Sequence, residues 1–389
     1  MSSGPTGRPQ SLKRIALVSD WYLPRLGGIE WHVADLAAAL SDKGCDVTIL
    51  TTTPDPSPSS IQRANGAFRI DRIDTLRAPR FGFSISPRLA ELLTRRLQAG
   101  DFQLVHVHAS VISPLALAAV IAARRLNLPA VVTFHSMLLR AAGVLRWADR
   151  RWSWSSRPIL WTAVSDAVAA QASGALGGAP VQTLSNGVYL ENWPERPRPK
   201  GAPDRRIVIA TAMRLTRKKR PLELLDAFWI ARDIASAHGC DLELRIAGEG
   251  PLRAKMERMI QSAGAGNSVF LLGALPRNAL QELYAGSDIF IMPSTRESFG
   301  LAALEARASG LPVVAMAGTG TQDFLIDGKT GLLAQTDRGL ASQLARLALD
   351  ADLRARLSPR DTGIARFNWP KVADRHLEAY EQARILTAP

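Results

Sequence analysis

Glu297 and Glu305 stand on either side of a strand-to-helix turn, in the run Arg296-Glu297-Ser298-Phe299-Gly300-Leu301-Ala302-Ala303-Leu304-Glu305. Residues 288–292 have the length and apolar content of a buried strand that Pro293 closes. Leu301, Leu304 and Ala308 then recur at helical spacing until Gly310 and Pro312 stop the helix. The backbone N–H groups near Phe299, Gly300 and Leu301 therefore lie unpaired at a helix start. Gly300 lets an anion approach closely, so a diphosphate would fit there. Glu305 falls beside the apolar stripe, where a carboxylate needs hydrogen-bond donors such as ribose hydroxyls. Glu297 belongs to the loop at the carboxyl end of the strand, where open parallel sheets place ligand groups. Two acids at this spacing also occur by chance on solvated helices.

A second constellation follows the strand expected at residues 207–212. The loop Met213-Arg214-Leu215-Thr216-Arg217-Lys218-Lys219-Arg220-Pro221 sets Arg214 and Lys219 ahead of a helix that Pro221 opens. A guanidinium fork and a mobile ammonium together suit a diphosphate. A solvated basic loop is the plain alternative.

The elements that must position these groups alternate along the chain. Residues 14–19, 46–51, 104–108, 130–133, 160–164 and 181–184 read as strands, with helices such as 29–43, 114–126 and 166–173 between them. A Pro-rich stretch, 194–203, interrupts this series. Strands at 207–212, 242–247, 268–272, 288–292, 312–315 and 331–334 form a second one. The expectation is α/β: two doubly wound Rossmann-like domains facing a cleft, with residues 1–197 as the first. Residues 198–206 would be a linker and 207–370 the second domain, followed by a helix, 371–389. In the first series Gly27-Gly28 opens a helix after the first strand, either as a plain glycine turn or as backbone open to phosphates. Thr133-Phe134-His135-Ser136 ends another strand on the same edge. His106 and His108 point to one face of their strand, and structural roles fit them better than chemical ones.

Together these residues resemble the family 4 retaining glycosyltransferases of the GT-B fold. Further motifs of the resemblance are Ala247-Gly248-Glu249-Gly250-Pro251, Leu272-Gly273, Asn186-Gly187-Val188 and Asp327-Gly328-Lys329-Thr330-Gly331-Leu332. The resemblance implies that Arg214 and Lys219 contact the donor diphosphate, with Glu297 on the sugar hydroxyls and Glu305 on the ribose. It also implies donor contacts from Gly27, Gly28, Gly273 and the Ser298–Leu301 turn, places His135 near the reacting sugar and acceptor, and makes 1–197 the acceptor domain and 207–370 the nucleotide-sugar domain, with the helix 371–389 crossing back to the first. The implied reaction retains anomeric configuration and uses no metal and no cofactor. The chain departs from the family pattern at Arg220, where glycine is usual, and at Tyr189, where aspartate is usual. Thr319-Gly320-Thr321-Gln322-Asp323 stands where Gly-Gly-x-Pro-Glu is typical; Arg220 leaves the loop shape open and Asp323 the packing behind the sugar pocket. The opening strand-loop-helix, with Val107-His108-Ala109-Ser110, is similar to the transferase that begins GPI-anchor synthesis and, less strongly, to phosphatidylinositol mannosyltransferases. The implied donor is a nucleoside diphosphate sugar, UDP-linked in preference to GDP-mannose. The implied acceptor is a lipid-linked or glycan molecule of envelope polysaccharide or glycolipid synthesis.

Composition agrees with an ordinary globular protein: 389 residues, 47% hydrophobic. No run approaches the roughly 20 apolar residues of a membrane span, and residues 1–14 lack the apolar core of a signal peptide. The expected location is cytoplasmic, peripheral on the inner face of the membrane. Cys45 and Cys240 have no partners at metal spacing. The net charge of +13 suits an anionic partner, but no nucleic-acid motif is present, so an anionic membrane surface is expected and nucleic acid is not. Two arginine-rich segments carry that expectation. One runs from Arg63 to Arg96; the other interleaves Arg140, Arg146, Arg150, Arg151 and Arg157 with Trp147, Trp152, Trp154 and Trp161. Core tryptophans under a solvated basic face are the alternative. Competing functions are a GT-B-type nucleotide-sugar epimerase, a non-catalytic nucleotide-sugar binder and a basic nucleic-acid binder.

Overall fold

A computed structural model describes residues 13–25, 27–54, 68–76, 84, 86–138, 142–152, 157–193, 206–358 and 363–388. The linker expected at 198–206 lies outside these residues except for Arg206. The first series forms β1 (Arg14–Ser19), α1 (Gly28–Asp42), β2 (Asp46–Thr51), β3 (Arg69–Arg72), α2 (Leu89–Ala99) and β4 (Leu104–Ala109). It continues through α3 (Pro114–Arg125), β5 (Ala130–Phe134), α4 (Ala142–Trp152), β6 (Ile159–Ala163), α5 (Asp166–Ala175) and β7 (Gln182–Thr183). All pairings are parallel, in the order β3-β2-β1-β4-β5-β6-β7. Every residue of β4 and β5 is buried, as expected of central strands covered by helices on both faces.

The second series forms β8 (Arg206–Ala212), α6 (Pro221–Ser236), β9 (Asp241–Ala247), α7 (Arg253–Ser262), β10 (Val269–Gly273) and α8 (Arg277–Ala285). Then come β11 (Ile289–Met292), α9 (Leu301–Ala308), β12 (Val313–Met316), β13 (Leu332–Ala334), α10 (Asp337–Leu349) and α11 (Ala351–Leu357). Its sheet is parallel too, in the order β10-β9-β8-β11-β12-β13. Its core runs through Ile207, Ile209, Leu244, Ile246, Ile289 and Ile291, with Phe228 of α6 and Leu344 of α10 packed on it. Helix starts follow local chemistry: Thr336 and Asp350 accept from the N–H groups of Gly339 and Leu353 at 3.0 and 2.8 Å.

The chain divides into two compact units, Met1–Gly187 with Trp369–Pro389, and Val188–Asn368. The last helix, α12 (Trp369–Thr387), is thus part of the first unit, where it packs on α1, β5 and β6. Val188 and the following turn belong to the second unit rather than to the acceptor domain drawn from sequence. The reason is packing: Val188 bridges Asn368, and buried Trp193 stacks on Tyr284, ring centroids 5.5 Å apart. β3 has no counterpart in the sequence reading because Arg69-Ile70-Asp71-Arg72 is a polar edge strand. Ion pairs from Arg69 to Asp46 at 2.6 Å and Arg96 to Asp71 at 2.7 Å hold it in place. Cys45 and Cys240 are buried free thiols, one in each unit.

Candidate functional site

In the second unit the charged groups converge where the strand order reverses. β9 flanks β8 on one side and β11 on the other, so the loops leaving β8 and β11 emerge side by side at the sheet's carboxyl edge. Lys219 ends a 3-10 turn, Arg217–Lys219, in the first loop, and its Nζ lies 2.5 Å from Glu297 Oε2 in the second. Partial burial, then the Lys219 ammonium, hold Lys218 below the ordinary lysine value, and Arg296 adds to the effect. The surplus of positive charge suits a polyanion.

The exposed Arg214 rides on a loop fixed through its backbone. Met213 N–H donates to the Ala247 carbonyl at 3.0 Å and Leu215 N–H to the Glu249 carbonyl at 2.9 Å. At Gly248, where φ is +136°, an added Cβ would stand 1.8 Å from the Met213 carbonyl oxygen; at Gly250 it would stand 2.6 Å from that of Leu215. Only glycine allows the two backbones to approach so closely. The Gly273 carbonyl accepts from Gly248 N–H at 2.6 Å, which places Gly273 as a support behind the Arg214 loop. Arg220 adopts the left-handed conformation, φ +60°, that glycine takes at least cost. Its guanidinium binds Asp337 at 2.6 Å and the Pro293 carbonyl at 3.2 Å, so the extra arginine serves the scaffold and the loop keeps a glycine-like shape.

Gly300 caps α9 with φ +92°, and a Cβ there would meet Thr321 Cγ2 at 2.6 Å. The N–H groups of Phe299, Gly300 and Leu301 have no protein acceptor among the described residues. Phe299 is buried against Phe324 and Phe367. Thr319 and Thr321 hydroxyls bond at 2.8 Å in the turn behind Gly300, and Gly320 N–H donates to the Glu297 carbonyl at 2.9 Å. Glu305 lies half-buried, one turn into α9. It neighbours the Tyr284 hydroxyl, which burial first and Glu305 second push well above its ordinary value. The Asp327–Gly331 segment is a structural turn: Asp327 Oδ1 accepts from Leu333 N–H at 2.8 Å, and buried Arg307 donates to the Thr330 carbonyl.

In the first unit Gly27 is extended, and Gly28 starts α1 with nothing within 4 Å of where a Cβ would be. The fold itself therefore does not require glycine at 28. Leu26 lies outside the described residues. His135 follows β5 and is nearly buried; its Nε2 stands 2.9 Å from Nδ1 of His108, at the end of β4. His106 Nδ1 contacts the Tyr380 hydroxyl at 2.8 Å and its Nε2 the Thr133 hydroxyl at 2.7 Å, a structural role. His32 of α1 and His376 of α12 complete the cluster. Burial holds all five imidazoles neutral: it lowers His135 to about 3 and His376 to about 4.

Two family models match successive stretches of the chain. Glycosyltransferase Family 4 covers residues 26–192, and Glycosyl transferases group 1 covers residues 194–362. The chain belongs to the family 4 glycosyltransferases of the GT-B fold. It is similar to the phosphatidyl-myo-inositol mannosyltransferase of Propionibacterium freudenreichii subsp. shermanii, 28% identical over 95% of both chains. It is also similar to the GPI3 subunit of phosphatidylinositol N-acetylglucosaminyltransferase of Saccharomyces cerevisiae, 26% identical over 94% of this chain and 82% of that one. Among solved structures a glycosyltransferase from Rickettsia africae superposes with a TM-score of 0.75 at 18% identity, covering 96% of this chain and 99% of that one. The structure of this glycosyltransferase brings Lys219, Glu297 and the start of α9 together, with Arg214 on the adjoining loop. It brings His135 to His108, and sequence reasoning missed His32 and His376. Both sit on amphipathic helices whose histidines carry no motif, and only the packing of α1 and α12 on one sheet joins them.

The basic segments divide. Arg63, Arg77, Arg80, Arg140 and Trp154 lie outside the described residues. Trp161 is a core residue stacked on Phe134, ring centroids 5.9 Å apart, whereas Trp147 of α4 is 62% exposed beside exposed Arg146 and Arg150. No helix among the described residues is long and apolar enough to cross a membrane.

Proposed function

We propose that this glycosyltransferase moves a hexosyl or N-acetylhexosaminyl group from a nucleoside diphosphate sugar to an inositol-lipid acceptor at an anionic membrane face, with retention of anomeric configuration. The observation that carries the reading is the meeting of Lys219 and Glu297 over the open N–H groups of α9, where strand order reverses. Lys219 and Arg214 hold the diphosphate, the N–H groups of Phe299, Gly300 and Leu301 receive its oxygens, Glu297 holds the sugar and Glu305 the ribose. The anomeric carbon breaks its bond to the diphosphate oxygen. The acceptor hydroxyl forms the new bond on the same face and gives its proton to that departing oxygen. Fixed cations and N–H dipoles stabilise the charge that develops on the leaving group, the role a divalent ion takes elsewhere. In the first unit Gly27, Gly28 and His135 serve the transferring sugar and the acceptor. The exposed Arg146, Trp147 and Arg150 on α4 meet lipid phosphates, with the protein peripheral on the cytoplasmic face.

Both relatives named above carry phosphatidylinositol in their names, and that supports the acceptor class. One transfers mannose and the other N-acetylglucosamine, so the donor panel spans GDP-mannose and UDP-linked sugars. Thermal unfolding with each nucleotide sugar is the test. The matching donor at a few tens of times its dissociation constant raises stability by about 2 kcal/mol. An unchanged midpoint across the panel would refute donor binding.

A further inference from the structure

Five of the chain's six histidines are buried together in the first unit, and the donor chemistry accounts for one of them. Three come from separate rigid elements: His32 from α1, His108 from the end of β4, and His135 from just after β5. One ring nitrogen of each lies within 4.8 Å of the others. Ring centroids are 5.0 Å apart for His32 and His135, 5.6 Å for His32 and His108, and 5.1 Å for His108 and His135. Both nitrogens of His32 and Nε2 of His108 are buried without a hydrogen-bond partner among the described residues. A neutral imidazole carries one N–H and one lone pair, so His32 leaves a donor and an acceptor unmet at 1% exposure. Native folds rarely leave such groups unmet unless something absent from the protein chain satisfies them.

We propose that His32, His108 and His135 form a binding site for a divalent transition-metal ion of the Zn2+, Co2+ and Ni2+ class, with water as the remaining ligand. Three imidazoles on a rigid framework form the open nitrogen set that such ions take, and the absence of a carboxylate from the triad disfavours Mg2+ and Ca2+. Nitrogens bound to one tetrahedral ion at about 2.0–2.1 Å each sit closer together than 4.8 Å, so binding draws the three rings inward. It replaces the contact between His108 and His135. An ion held there occupies the imidazole assigned above to the sugar and acceptor, so it inhibits transfer. That consequence rests on the proposed role of His135, whereas the site itself does not.

Chelator-treated, dialysed full-length protein titrated with Co2+ tests the site. One equivalent should give the visible d–d absorption of a nitrogen-bound, near-tetrahedral ion, and Zn2+ should displace it. His32→Gln and His108→Gln should each lose the saturable band, whereas His238→Gln, at an exposed position, should keep it. Circular dichroism establishes that each variant folds. If one does not, the band of the other decides, together with a Zn2+-induced rise in wild-type unfolding midpoint. Absence of a stoichiometric band, as expected if only buried water fills the site, or its survival in both variants, overturns the site. A band accompanied by undiminished transfer at saturating Zn2+ overturns the inhibition, and with it the role given to His135.

Discussion

Lys219 and Glu297 form a 2.5 Å ion pair that is partly exposed, with side chains 29% and 12% accessible. Glu297 is a buried residue, so removing Lys219 would leave its carboxylate short of a partner; in the proposed function the two are ligand groups that pair with each other when no donor is bound. The proposed division of labour makes the two glutamates separable. Glu305→Ala should weaken nucleotide binding by roughly 1.5–3 kcal/mol, the usual worth of hydrogen bonds to a charged group. Glu297→Ala should lower turnover far more than nucleotide affinity, because its partner is the sugar. Calorimetric titration with the bare nucleotide, beside steady-state rates, separates the two effects. Equal loss of affinity in both variants would contradict the assignment. These charged residues were legible in the sequence because they stand in strand-to-helix loops at a characteristic spacing. Arg220 was not: only its left-handed backbone and its bond to Asp337 show why an arginine serves where glycine is usual.

At the level of elements, apolar runs announced nearly every strand of both sheets, since parallel strands buried on both faces have little to alternate. β3 escaped because its side chains are polar and ion pairs support it. The motif glycines at 248 and 250 were visible as a string of letters. Their purpose, close contact with the Arg214 loop, exists only in three dimensions. The tryptophan-arginine segment also needed the structure, which separates core Trp161 from exposed Trp147. If α4 docks on lipid, Arg146→Gln with Arg150→Gln should weaken sedimentation with anionic vesicles by about 1 kcal/mol per arginine, and salt should weaken wild-type binding as well. Equal pelleting of the double variant and wild type, or pelleting that salt does not alter, would remove α4 from the membrane account.

Across the whole molecule, the buried histidines link stability to pH. Burial first, then neighbouring histidines, lower His32, His106 and His108 well below 6.5, while His135 and His376 fall to about 3 and 4. Between those values and 6.5 the unfolded chain binds protons that the folded chain refuses. Stability is therefore intact above pH 6.5 and falls as pH drops below it, because each buried imidazole must stay neutral in the folded state. Asp20 has the opposite sign. Burial raises it to about 6 from 3.8, so it favours the folded state as pH falls through that interval and offsets part of the loss. Urea unfolding of chelator-treated protein at pH 7.5 and 5.5 should show the folded state markedly weaker at the lower pH; equal stability would mean that the cluster is hydrated or already protonated. The central claim is metal-independent, retaining transfer to an inositol lipid. Its most direct measurement is NMR of the product made from a nucleoside diphosphate sugar and phosphatidylinositol vesicles in EDTA. The account predicts a glycosylated lipid whose anomeric configuration matches the donor's, formed undiminished in EDTA and lost in Lys219→Ala and Arg214→Ala. An inverted product, an epimerised donor without transfer, or activity that EDTA abolishes and Mg2+ or Mn2+ restores would contradict it.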